Sequence, residues 1–407
     1  MQLVNSRLCK LRLLVAVILL ITGIPFLVAG EEAPYVSEWN LPALTMMSGA
    51  WAALGLEGKW AMDVAVEEIN ESGGIRGIPL KLTWYDTAYD PAKTVQQIGR
   101  AIDQKPLLIL GPQYDTPLSA AVPIACREEV FVLAADGSVV PFLDCDWGTS
   151  LGLSYKDITT AAAEYWYTLH GKGMESVALF TNSASTTIVI QAAEWRRVLE
   201  EKGIKVHSDI EVPSDTMNFG PPALKAVNYG ADAFIHVTGP VQAAKLDIEL
   251  HNLGVTEGWR IVNYLATNSS PLYEFGKGYL EGTYTYDNYN LYYDSDAWRS
   301  LLAKYQAWKP DAQPSFSVPY DYDLPYVVKQ CFEDLNITGN PAKLLEEREK
   351  IRDYMLHLDF EGVQGNISVI KGTGGAQRPL WWFVIWDNRI HEMAELEVIM
   401  TVGEKKD

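Results

Sequence analysis

Cysteine is scarce, with four in 407 residues, and that scarcity excludes two ways of holding a fold together. Cys9, Cys126, Cys145 and Cys331 have no zinc-site spacing, and they are too few for a disulfide framework to replace a core. A Cys126–Cys145 bond and buried free thiols are both open. Stability must therefore come from buried apolar surface, for which 48% hydrophobic residues suffice. Histidine is equally sparse. His170, His207, His236, His251, His357 and His391 are scattered, and His391-Glu392 lacks the second histidine of a zinc-protease helix. Basic residues are outnumbered 33 to 52, for a net charge of −19, which speaks against nucleic acid or an anionic membrane surface as partner. No nucleophile elbow, catalytic dyad or redox dithiol is present. Gly-rich Lys371 to Gly375 lacks the Lys-Ser/Thr pair of a phosphate loop. No catalytic residue, metal or cofactor is expected, and no solenoid-length repeat occurs.

One long apolar run is present, Leu13 to Ile21, preceded by Arg7, Lys10 and Arg12 and followed by Gly23, Pro25 and Val28-Ala29-Gly30. That order is a secretory signal over residues 1–30, implying a periplasmic or extracellular protein. A membrane anchor is the competing reading, because the apolar stretch approaches spanning length. The Gly and Pro interruption favours cleavage after Gly30.

The remainder alternates strand and helix. Trp60, Val64 and Ala65 recur at helical spacing from Gly58 onward, and Gly73-Gly74 ends that helix. Leu80, Leu82 and Trp84 alternate as a strand, and Asp90-Pro91 caps the next helix. Leu107 to Leu110 is an all-apolar run suited to a parallel strand buried on both faces. A loop then leads to a helix predicted to be capped by Thr116 and started by Pro117, followed by a strand over Val130 to Ala134 and the loop Asp136-Gly137-Ser138. The same rhythm restarts near Ser154 and runs to Tyr264, followed by the polar-aromatic stretch "TYTYDNYNLYY" and three more helices. Ile367 to Ile370 and Leu380 to Trp386 are expected to form a hairpin-like pair. The fold class is α/β, two doubly wound lobes with parallel sheets. Ligands of such sheets bind at the carboxyl ends of the strands, which selects the loops at 48–54, 113–116, 136–138, 182–187, 238–240 and 265–268.

The stretch "DVAVEEINESGGIRGIPLKLTWYDTAYDPAKTV", with "SGAWAALG" before it and "LILGP" after it, resembles the substrate-binding proteins of branched-chain-amino-acid-type ABC importers, a leucine-binding-protein-like family. The resemblance implies the type I periplasmic binding fold, two Rossmann-like lobes joined by three crossover segments. The lobes would comprise residues 36–152 plus about 286–376, and 153–285 plus about 377–407. It further implies a small-molecule solute and a membrane permease as partners of a monomeric binding protein. In that family the solute carboxylate is held by N-lobe loops that align with Tyr114-Asp115-Thr116 and Asp136-Gly137-Ser138. The ammonium is held by a C-lobe carboxylate at the position of Leu265, and C-lobe aromatic contacts fall near Thr186 and Gly239, beside Thr238.

Here an aspartate stands on each carboxylate-binding loop and the ammonium partner is absent. A ligand carboxylate between two ionised aspartates in a closed cleft would meet repulsion of several kcal/mol. An unmodified α-amino acid is therefore not expected, whereas a cationic, amide or polyhydroxy solute fits, with Trp51 and Tyr114 available to stack on it. Blander readings compete. Asp115 suits a helix cap that turns its carboxylate toward backbone N–H groups, and Asp136 suits a turn. A receptor sensor subunit and a secreted α/β hydrolase using Asp115 and Asp136 are the rival functions.

Overall fold

The alternation of apolar runs and amphipathic segments resolves into two separate sheets in the computed structural model, which describes residues 32–49, 51–183, 186–264, 270–310, 312–387 and 389–400. The signal segment at 1–30 and Leu265 lie outside the described residues. The first sheet has five parallel strands in the order β2-β1-β3-β4-β5: β1 Trp39–Thr45, β2 Leu80–Asp86, β3 Leu108–Leu110, β4 Phe131–Ala134 and β5 Gly148–Ser150. The second has seven strands in the order β15-β14-β10-β9-β8-β6-β7. Its parallel part comprises β6 Ser176–Thr181, β7 Lys205–Glu211, β8 Ala233–His236, β9 Ile261–Tyr264 and β10 Tyr284–Asp287. Antiparallel β14 Trp381–Trp386 and β15 Arg389–Glu395 extend it.

The chain passes between these sheets three times. It leaves the first after β5 and returns after β10 through helices Asp296–Trp308, Ser317–Asp334 and Leu344–Met355, whose Trp298, Leu324, Val328 and Ile351 join the core of the first sheet. It crosses again after a small sheet of β11 Asp359–Gly362, β12 Gly365–Val369 and β13 Ala376–Gln377. The predicted hairpin therefore does not form: β12 pairs with β11 and β13, whereas β14 pairs with β10 and β15. Both segments had hairpin-like composition, but Trp381 and Phe383 bury against Leu272 and Ile390 of the second sheet's core.

Two helix starts also differ from expectation. The first helix, α1, runs Ala52–Glu71 and takes in part of the expected 48–54 loop. Gly55 and Gly58 lower helix propensity there, yet both are buried packing positions inside it. The helix after β3 runs Asp115–Arg127, with Tyr114 rather than Thr116 preceding it. Among the described residues, no helix is long and apolar enough to cross a membrane.

Cys126 and Cys145 are bonded to each other, 19 residues apart, and Cys331 is free and buried. The bond ties the end of helix Asp115–Arg127 to the turn before β5, behind the two loops that carry Asp115 and Asp136. Closing a loop of this size is worth about 3 kcal/mol. Replacing both cysteines with alanine should lower unfolding free energy by that amount in urea titration, without changing the far-ultraviolet circular dichroism of the folded state.

Candidate functional site

The carboxyl ends of both sheets face each other across a cavity of about 390 Å³. From the first lobe's side it is lined by Met46, Trp51, Leu54, Tyr89, Tyr114, Asp115, Asp136 and Ser138. Tyr155, Thr187, Ile188, Thr238, Gly239 and Pro240 face them, and Ser315 and Phe316 close one end from the returning segment. Of the residues singled out from sequence, Trp51, Tyr114, Asp115, Asp136, Ser138, Thr238 and Gly239 line this cavity. Thr116 and Gly137 line an adjoining one instead, of about 470 Å³. Thr186 opens helix Thr186–Glu201, whose next residue, Thr187, lines both cavities.

The two aspartates are held differently. Asp136 is 3% exposed, and the Ser138 hydroxyl donates to its Oδ2 at 2.8 Å while the Ser138 N–H donates to Oδ1 at 3.3 Å. Burial pushes its carboxyl up to about 6. The Ser138 hydrogen bonds oppose that rise, and the nearby Asp115 charge adds to it. Asp115 is only part-buried. Its Oδ1 accepts from the Tyr89 hydroxyl and from the Thr116 N–H, each at 2.8 Å, and its Oδ2 accepts from the Thr187 hydroxyl of the facing lobe at 3.5 Å. The cap-like bond from Thr116 is thus real, but it engages one oxygen and leaves Asp115 on the cavity wall.

Behind these loops lies a buried chain of polar groups. Gln113 donates from Nε2 to Asp321 Oδ1 at 2.6 Å and accepts from the Ala135 N–H through Oε1 at 3.0 Å. Asp321 belongs to helix Ser317–Asp334 and is 3% exposed. Burial raises its carboxyl well above the usual range, and the Asp136 charge adds to the effect. It fits only because α1 carries Gly58 there, where a Cβ would sit 2.1 Å from Asp321 Oδ2. Glu57, on the same helix, accepts from the Tyr305 hydroxyl at 2.7 Å, Lys309 Nζ at 2.8 Å and the Ser315 N–H at 3.0 Å, fixing the segment that delivers Phe316. Burial alone would raise Glu57, but those hydrogen bonds outweigh it and hold the carboxyl below its ordinary value.

The aromatic lining is coupled to the aspartates. Trp51 packs on Tyr89 with ring centres 5.7 Å apart, and Phe316 meets Tyr114 edge-on at 6.1 Å. The Tyr114 hydroxyl shares a 2.6 Å hydrogen bond with Ser317, and its backbone φ is 72°, a left-handed conformation that non-glycine residues adopt at a cost. Thr187 and Pro240 fall in the loops selected at 182–187 and 238–240, whereas Tyr89, Tyr155 and Phe316 were not singled out from sequence. Tyr89 has φ 60°, which turns its ring back over Asp115 and leaves no compositional trace. On the far side, β8 ends at His236, which lies 3.3 Å from Asp247 with both side chains fully buried. Burial lowers His236 to about 3 and raises Asp247 well above the usual carboxylate range. No group of three or more His, Cys, Asp and Glu side chains among the described residues is placed to hold a metal ion.

Two facing α/β lobes with strand-end loops closing on one cavity correspond to a known family. A family model described as periplasmic binding protein matches residues 38–389. The chain belongs to the periplasmic binding protein family. Its structural neighbours include a leucine binding protein of Thermotoga maritima, 19% identical, covering 88% of this chain and 98% of its own, with a TM-score of 0.72. A branched-chain amino acid transporter substrate-binding protein of Streptococcus pneumoniae, in complex with isoleucine, is 18% identical over 91% of this chain and 100% of its own, at a TM-score of 0.71. A solute-binding protein of an ABC transporter from R. palustris, in complex with benzoate, is 12% identical over 91% and 100%, at 0.73. Among curated proteins none matches the chain in sequence.

The site's geometry depends on the backbone at the first crossing. A Cβ on Gly152 would lie 2.3 Å from the Asp136 carbonyl oxygen, and the Ser150 hydroxyl also donates to that oxygen. Gly152→Ala should displace the Asp136 loop at a cost of about 1–3 kcal/mol, read as a fall in the thermal midpoint. A midpoint equal to that of the parent would show that the loop has room to spare.

Proposed function

We propose that this protein is the exported solute-binding component of an ABC importer, delivered by a cleavable signal over residues 1–30 and working as a monomer that a membrane permease reads in its closed form. The lobes would comprise residues 36–152 plus about 286–376, and 153–285 plus about 377–407. The solute is cationic, an amide or a polyol rather than an unmodified α-amino acid, and the lining favours the cation. The observation that carries this reading is the pair of carboxylates, Asp115 and Asp136, in a cavity whose wall holds no Lys or Arg among the described residues.

A carboxylate in that cavity would face two like charges at low effective dielectric with no compensating donor of positive charge. A positive group would be attracted to both and could lie against the faces of Trp51, Tyr89 or Tyr114, each such contact contributing about 0.5 to 2 kcal/mol. The isoleucine and benzoate held by two of the structural neighbours each carry a carboxylate. The work is conformational. Only a guest bound more tightly by the closed lobes than by the open ones drives closure.

Because burial raises Asp136 to about 6, a cation that prefers the ionised carboxylate should bind more tightly as pH rises. Calorimetric titration with tetramethylammonium should show affinity increasing by up to about tenfold per pH unit below 6 and levelling off above it. Asp136→Asn should weaken binding about tenfold to a hundredfold at pH 7.5 and flatten that dependence. Leucine, valine and glutamate should leave the thermal midpoint unchanged. Clear stabilisation by any of the three would count against the charge assignment.

A further inference from the structure

The acid-lined cavity is not a dead end. The adjoining space of about 470 Å³ shares Asp115, Ser138, Tyr155 and Thr187 with it, so the Asp115–Thr187 pair stands at the passage between the two. Beyond the passage the character of the wall changes. Ala120 comes from the helix after Asp115, Val139, Val140 and Pro141 from the turn after Ser138, and Ile190 from the facing lobe. Val140 is 59% exposed on a wall whose exposed surface is mainly apolar, though Thr116, Ser119 and Ser154 also line it. Among the described residues, the one cationic side chain lining either cavity is Lys156, at the far space.

We infer that the site is bipartite: a cationic head occupies the Asp115/Asp136 cavity while an apolar tail parts the 3.5 Å Asp115–Thr187 contact and runs past Ser138 and Tyr155 into the space walled by Ala120, Val140 and Ile190. This rests on the cationic reading above and narrows it to ammonium solutes carrying a hydrocarbon arm. Burying each methylene of the arm removes apolar surface from water, so affinity should rise about fourfold per buried methylene. Lys156 repels a second positive charge at the tail's end, which excludes symmetrical diamines.

The test is calorimetric titration of the mature chain with tetramethylammonium, butyltrimethylammonium, hexyltrimethylammonium and hexamethonium, repeated on Val140→Asn and on Ala120→Trp. The expected result is a stepwise gain of about fourfold per methylene along the first three, with hexamethonium binding more weakly than hexyltrimethylammonium. Both variants should abolish the gain and leave tetramethylammonium affinity as it was. Val140 lies at the surface, so that variant should fold, and an unchanged thermal midpoint checks it. Equal affinity for all three monocations, or a gain that survives both substitutions, overturns the bipartite site while leaving the cationic head intact. If none of the ammonium probes binds, the cationic reading and the inference fall together.

Discussion

Two carboxyl groups buried at the base of the cleft, Asp136 and Asp321, set what the rest of the site can do. Each is 3% exposed and raised chiefly by burial, with the Asp115 charge adding to Asp136 and the Asp136 charge adding to Asp321. A protein bears such desolvation only where geometry offsets it or function requires it. Gln113 offsets part of it by bridging Asp321 to the end of β4, Ser138 offsets part by donating twice to Asp136, and Gly58 leaves the space. The helix from the returning segment is thereby tied to the strand ends of the first lobe.

The rhythm of strands and helices was legible because it depends on local patterning. Leu107 to Leu110, Val130 to Ala134 and Ala233 to Val237 are apolar runs that only a doubly covered parallel sheet explains, and β3, β4 and β8 lie there. What was hidden had physical reasons for being so. β1 is a central strand containing Pro42, a residue that argues against such placement because it cannot donate to a ladder. β5 has three residues, Gly148–Ser150, too few for a period to show. Leu380 to Trp386 was expected to pair with Ile367 to Ile370, whereas β14 pairs with β10 about a hundred residues away and with the adjacent β15, a choice of partner that local patterning does not specify.

The site divides in the same way. Asp115, Asp136 and Ser138 follow directly from strand ends, and the structure brings them to one cavity. Phe316 and the Gln113–Asp321 hydrogen bond do not, since the latter joins residues 208 positions apart. Tyr89 reaches Asp115 through a left-handed backbone that its sequence neighbours do not announce. The general consequence is that strand-end loops can be located from one chain, whereas the side chains that give a cleft its selectivity come from crossings and turns specified by tertiary packing.

The central claim is that this cleft carries negative charge toward its guest, and the most direct test is to identify the guest itself. Native mass spectrometry of the protein purified from its own cells, followed by accurate-mass identification of the molecule released on unfolding, reads this without any assumed ligand. The account predicts a nitrogen-bearing cation, or failing that an amide or polyol, at one per chain. A free α-amino acid or an aromatic acid at that stoichiometry would contradict it.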